Sequence, residues 1–105
     1  MNGTLFPVRR LDHPNLDEVA LAQALSALGD PVRLAIVRML SDGEEHQGSK
    51  FAVKVSQSTL SHHFSTLRNA CVVFIRPEGT RCRHSLRPEF DHRFPGLLGT
   101  VLALR

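Results

Sequence analysis

Tryptophan and tyrosine are absent from these 105 residues, and the aromatics amount to six phenylalanines. Any core must therefore be filled chiefly by Leu, Ile, Val and Ala. Only two cysteines occur, Cys71 and Cys82; two thiols are too few for a disulfide framework, and their spacing matches no zinc motif. No apolar stretch reaches the roughly 20 residues that cross a bilayer. The first residues also lack the basic region, apolar run and cleavage site of a secretory signal, so a cytoplasmic protein without a membrane partner is expected. At this length one domain is expected and a second catalytic or ligand-binding domain is not. A core this small would gain from burial against a second copy of the chain.

What is present is unevenly charged. The net charge of +3 conceals a division along the chain. Between Asp12 and Glu45, seven acidic residues stand against Arg33 and Arg38; between His46 and Arg87, Lys50, Lys54, Arg68, Arg76, Arg81, Arg83 and Arg87 stand against Glu78 alone. A basic half of this kind suits a polyanion, although a solvated face with no partner has the same composition.

The chain divides into an arm over residues 1–15, where Gly3, Pro7 and Pro14 interrupt any periodicity, and a folded domain over 16–105. Leu16, Val19, Ala20, Ala24 and Leu28 recur at helical spacing and predict a first helix that Gly29 ends in the left-handed conformation. Asp30 is placed to cap a second helix that starts at Pro31 and runs to about Ser41, with Leu34, Ile36, Val37 and Leu40 inward and Asp42-Gly43 as its stop. Glu44 to Val55 reads as a short helix, with a strand as the alternative because Phe51, Val53 and Val55 alternate. Ser56 then caps a helix that reaches about Ala70. On its wheel Leu60, Phe64 and Leu67 form a narrow apolar stripe, His63 flanks it, and Ser58, His62, Ser65 and Asn69 lie opposite.

Val72 to Arg76 and Cys82 to Arg87, joined through Pro77-Glu78-Gly79-Thr80-Arg81, predict a hairpin. Arg81, Arg83 and Arg87 would share one side, suited to phosphate, with Cys82, His84 and Leu86 on the other. Counting outward from that turn pairs Cys82 with about Ile75. A final helix beginning near Pro88 or Pro95 carries Leu97, Leu98, Val101, Leu102 and Leu104, too apolar to stand against water. With Leu16 and Val19 of the first helix, Leu97, Leu98, Val101 and Leu102 are the candidate dimer contacts; the alternative is that both helices only complete the protomer's core.

Ala27-Leu28-Gly29-Asp30-Pro31-Val32-Arg33-Leu34, Ser56-Gln57-Ser58-Thr59-Leu60-Ser61-His62-His63-Phe64, Leu67-Arg68-Asn69-Ala70 and Glu78-Gly79 with Arg81 resemble the helix joint, recognition helix and wing turn of the ArsR/SmtB family of bacterial winged-helix repressors. The resemblance spans about Leu16 to Arg87. It implies a mainly α winged helix-turn-helix with a small β-hairpin wing, dimeric through its N- and C-terminal helices. It also implies a homodimer on a double-stranded DNA operator, released by a small inducer. By this resemblance Ser58, Ser61 and His62 face bases, with Ser65 further along the same face. Gln57 and Thr59 lie near phosphates at the helix start, and Arg81 and Arg83 meet the flanking backbone.

The family's sensing sites do not carry over. The Glu45 to Lys50 segment has no cysteine, Asp91-His92 has the wrong spacing for the last-helix zinc site, and adjacent His62 and His63 point to different sides of a helix; neither a metal nor a cofactor is expected. Cys71 and Cys82 are the candidates for a redox inducer. Cys71 stands where the family usually has Gly, so either its helix ends earlier, near Asn69, or the backbone there is strained by about 1 kcal/mol. An enzyme is disfavoured, since no nucleophile, base and orienting group recur at a recognisable spacing. The remaining alternative, a winged-helix protein-interaction module, would want apolar anchors where Ser58, His62 and Ser65 stand.

Overall fold

We describe the chain from a computed structural model over residues 13–48, 51 and 53–104. The arm expected over 1–15 lies outside these residues up to position 12. Its end is docked on the rest of the molecule: the Ile75 amide donates to His13 Nε2 at 3.0 Å, and Arg87 Nη1 donates to the Pro14 carbonyl at 2.9 Å.

The first helix is shorter than its periodicity suggests. Asn15 accepts from the Asp17 amide and caps a single 3₁₀ turn over Leu16–Glu18; the chain is extended at Val19 and Ala20, and α1 begins only at Leu21 and runs to Leu28. The β-branched Val19 takes φ −85° and ψ 122°, and its carbonyl accepts from Arg93 Nη2 at 2.9 Å. Gly29 is not left-handed, with φ −86°. Its lack of a side chain provides room, because a Cβ there would lie 3.3 Å from the Leu25 carbonyl.

Helix α2 (Pro31–Leu40) starts as expected, with one carboxylate oxygen of Asp30 accepting from the Val32 and Arg33 amides at 2.9 and 3.0 Å. Its inner face buries Ile36, Val37 and Leu40. Arg38, on the outer side, donates to the Leu102 and Leu104 carbonyls and ties down the C-terminal end of the chain.

The short helix expected over 44–55 is corrected. His46–Gln47 forms a two-residue strand, β1; of the helix only a 3₁₀ position at Gly48 is described, whose carbonyl accepts from the Phe51 amide at 3.3 Å, and 53–56 are irregular, while residues 49, 50 and 52 lie outside the description. The hairpin explains this placement: its strand β3 (Arg81–Leu86) pairs with β2 (Val73–Glu78) on one side and would otherwise present open backbone groups on the other, which β1 satisfies. The connecting turn is Gly79-Thr80, with Gly79 at φ 62°, as a two-residue hairpin turn demands. Because that turn is shorter than the five residues expected, the register moves. Cys82 faces Pro77 rather than Ile75, and Ile75 faces His84.

Helix α3 (Gln57–Asn69) is capped by Ser56 and buries Leu60, His63, Phe64 and Leu67. It ends on Ala70, with Cys71 left-handed at φ 61° and the Val72 and Cys71 amides donating to the Leu67 and Arg68 carbonyls, both at 3.0 Å. This paired closure normally takes Gly at the position of Cys71. Of the two outcomes foreseen for Cys71 the strained backbone is the one found: the last helical residue is Asn69, and this does not spare Cys71 the left-handed conformation.

The expected final helix is two short ones, α4 (Glu89–Arg93), capped by Pro88, and α5 (Leu97–Ala103), which follows Pro95 and the left-handed Gly96. Phe90 is fully buried and joins Ile36, Leu40, Leu67, Val72 and Val73 in a core between the helices and the inner face of the sheet.

Candidate nucleic-acid interface

The first turns of α3 present a polar tip. Gln57, Ser58, Thr59, Ser61 and His62 are exposed and Ser65 is half-buried. Two of these hydroxyls are already engaged: Ser56 Oγ donates to Thr59 Oγ1 at 2.9 Å and lies 3.3 Å from Ser58 Oγ. Gln57 and Ser61 look across a groove of about 520 Å³ to Thr80 and Arg81 of the hairpin, over a floor that includes Phe64 and His84.

His84 fixes the hairpin on α3. It is 6% exposed, its ring stacks on Phe64 with centroids 3.9 Å apart, and Phe51 meets it edge-on at 5.9 Å. Its Nδ1 lies 3.3 Å from the His46 carbonyl, and burial pushes its pKa below the ordinary imidazole value. A neutral ring donating from Nδ1 satisfies both observations.

The hairpin alternates as expected, with Cys82, His84 and Leu86 inward and Arg81 and Arg83 on the other side. The two arginines differ in partner. Arg83 donates from Nε to Glu78 at 3.0 Å, whereas among the described residues Arg81 has no carboxylate partner and only a 3.5 Å contact with Gln47. Arg76 grips Glu45 through two bonds of 2.8 Å. These hydrogen bonds, from Arg76 to Glu45 and from Arg83 to Glu78, hold both carboxyls below the ordinary carboxylate range. Arg87 does not share the face of Arg81 and Arg83. It lies beyond β3 and donates to Pro14 and to Cys71 Sγ, at 3.1 Å.

Cys71 is fully buried, its thiol donates to the Pro14 carbonyl at 3.3 Å, and burial pushes its pKa up against the opposing effect of Arg87. Cys82 is half-buried on the groove wall, and both thiols are free. Brief alkylation of the folded protein with iodoacetamide is expected to modify Cys82 first and Cys71 only on unfolding. Peptide mass spectrometry checks this, and early modification of Cys71 would contradict its burial.

Among the candidate dimer contacts, Leu16, Leu97, Leu98, Val101 and Leu102 are half-buried at the edge of the core. Val19 is corrected: at 2% exposure inside the protomer it has no side-chain surface to offer a second copy. Leu21 and Leu25, which the sequence reading passed over, are 52% and 47% exposed on one side of α1. Their spacing of four was the available signal. A cleft of about 400 Å³ separates Leu21 from Arg93, Phe94, Leu97 and Thr100. Among the described residues no three His, Cys, Asp or Glu side chains gather to hold a metal ion, and no helix is long and apolar enough to cross a membrane.

A family model described as bacterial regulatory protein, arsR family, matches residues 30–73. The uncharacterized HTH-type transcriptional regulator YceK of Bacillus subtilis is 36% identical over 81% of this chain and 89% of its own. The HTH-type transcriptional regulator CmtR of Mycobacterium bovis is 36% identical over 83% of this chain and 75% of its own. Among solved structures, a homodimeric winged helix-turn-helix DNA-binding domain from Mycobacterium bovis is similar with a TM-score of 0.63 at 28% identity, covering 79% of this chain and 77% of that one.

Proposed function

The chain belongs to the arsR family of bacterial regulatory proteins and is a DNA-binding transcription regulator of winged helix-turn-helix fold; from that premise we propose that two copies repress transcription by placing their α3 helices in successive major grooves of one operator. The observation that carries this is the groove rim, where the exposed tip of α3 and Arg81, which has no carboxylate partner among the described residues, lie on opposite sides of one opening. Ser58, Ser61 and His62 read base edges, with Ser65 behind them. Gln57 and Thr59 stand beside phosphate at the helix start, where free backbone N–H groups attract anions.

Arg81 supplies the wing's main phosphate contact. Arg83 supplies a second only by leaving Glu78, which is inexpensive because an exposed ion pair is worth about 0–1 kcal/mol. The second copy covers Leu21, Leu25 and the apolar side of α5. The cleft between Leu21 and α5 is where a small inducer would act, by favouring a dimer whose two α3 helices are wrongly spaced. The chain's task in this reading is binding and not catalysis, and a single folded unit from Leu16 onward carries it.

The test is a titration of the full chain with the duplex immediately upstream of its own coding region and with an unrelated duplex, across a salt series. Specific binding should outlast the unrelated duplex as salt rises. His62→Ala should cost about 1–3 kcal/mol on the preferred duplex alone, and Arg81→Ala should weaken both duplexes and reduce the salt slope by about one per protomer. Equal weakening of both duplexes by His62→Ala would remove His62 from base reading. If neither duplex binds at any salt, the protein-interaction reading takes the place of this one.

A further inference from the structure

His63 is the buried polar residue on the inner side of α3, 9% exposed. Its Nδ1 lies 3.0 Å from Nη1 of Arg33 and 3.9 Å from Oδ2 of Asp30. A guanidinium carries donors only, so Nδ1 must accept, and the imidazole in this arrangement is neutral with its proton on Nε2. Arg33 is itself fixed. Its Nε donates to the Ala27 carbonyl at 2.6 Å, its Nη2 reaches the Ser26 carbonyl at 3.4 Å, and its backbone amide donates to Asp30. One guanidinium thus joins the end of α1, the start of α2 and the middle of α3, the three pieces whose mutual angles set the direction of the tip from Gln57 to His62.

We propose that His63 is a positioning residue for DNA recognition that works only as the neutral imidazole, so that acid weakens specific binding where ordinary electrostatics would strengthen it. The proposal rests on the reading of α3 as the helix that contacts DNA. Protonation at Nδ1 removes the lone pair that Arg33 uses and sets two cations against each other. The new N–H can be accepted by Asp30 Oδ2, but at 3.9 Å the ring must leave Arg33 to reach it. That oxygen already receives the Val32 and Arg33 amides, so the exchange also pulls on the cap of α2. The charged and titratable groups facing His63 are Arg33 and Asp30 from α2 and His62 on its own helix, with ring centroids 6.0 Å apart; α1 contributes the carbonyls that Arg33 holds. Without this device, acidification would only add positive charge to the chain, and phosphate binding would tighten.

His63→Asn supplies the test, because its amide oxygen can accept from Arg33 and does not titrate. Between pH 8.0 and 5.5, affinity of the wild-type chain for the specific duplex should fall about fivefold or more. The same change should leave His63→Asn level or slightly tighter, and both proteins should hold the unrelated duplex more tightly at pH 5.5. A second readout needs no DNA: between the same two pH values the Arg33 Nε–H resonance should shift in the wild-type chain and stay in place in His63→Asn. Tighter specific binding by the wild type at pH 5.5, an equal fall in His63→Asn, which would move the effect to another group such as His84, or an Arg33 resonance indifferent to pH would each overturn the proposal. Coupled Arg33 and His63 resonances in a chain that binds no duplex would instead retire the DNA reading and leave the positioning of α3 intact.

Discussion

Phe64→Ala is expected to remove about 3–5 kcal/mol of stability, the usual range for deleting a buried phenylalanine. A domain of this kind holds only about 5–15 kcal/mol in all, so this one ring accounts for about a fifth of the stability or more. Phe64 is buried under α3, stacked on His84 at 3.9 Å and met edge-on by Phe51 at 5.1 Å. The three rings connect α3, the segment after β1 and the hairpin, and in a chain without Trp or Tyr few side chains of that size are available to replace the contact. Urea denaturation checks the value, with the midpoint falling and the slope preserved. Phe64→Leu, which keeps most of the volume, should cost well under half as much. A loss below about 1 kcal/mol for Phe64→Ala would mean that the site collapses around the missing ring and that the hairpin is held elsewhere.

The same cluster gives the stability a direction with pH. Burial lowers the pKa of His84 in the folded chain below the ordinary value of 6.5, so the unfolded chain takes up the proton first. The contribution of a neutral, buried His84 is therefore fully present above the unfolded value and is lost as pH falls through it and on toward the folded one. Phe64→Ala lets water reach the ring, and the acid side of its stability profile should be flatter than that of the wild type.

Local hydrogen-bonding chemistry was the most readable part of the sequence. Asp30-Pro31 and Ser56 each satisfy orphan amides within three residues, and both helices begin where those residues stand. The inward stripe of α3, with His63 at its flank, followed from spacing alone. Features set by distant parts of the chain were not readable in this way. Nothing near Val19 announces that its carbonyl will meet Arg93, yet this bond accompanies the break in the first helix. His46–Gln47 is a strand because β3 needs a neighbour, a demand that residues 44–55 do not encode. The hairpin register was displaced because Pro77 and Glu78 could be placed either in the turn or in the strand. Of the candidate interface, the residue types on the tip of α3 were legible, but the pairing of Arg83 with Glu78 and the contact of Arg81 with Gln47 depend on geometry across the hairpin.

Leu25→Glu separates the fold from the assembly proposed for it. Leu25 is nearly half exposed in the protomer, so the charge should change protomer stability by no more than about 0.5 kcal/mol. In a two-copy complex the same side chain would be pressed with Leu21 and the half-buried Leu97, Leu98, Val101 and Leu102 into an apolar seam, where an unpaired carboxylate cannot be hydrated. Sedimentation should therefore find a monomer that is still folded, unfolding at a lower temperature than the wild-type dimer because the partner's contribution is gone. The effect on DNA follows from linkage, because two tethered α3 helices bind a two-fold operator with the second engagement made intramolecular. Losing the tether should lower operator affinity by about 10²–10⁴-fold while changing non-specific binding per protomer far less. A Leu25→Glu protein that still sediments as a dimer would place the seam elsewhere on the surface. A monomeric one that keeps full operator affinity would show that one copy suffices and that the apolar face of α1 and α5 serves some other partner.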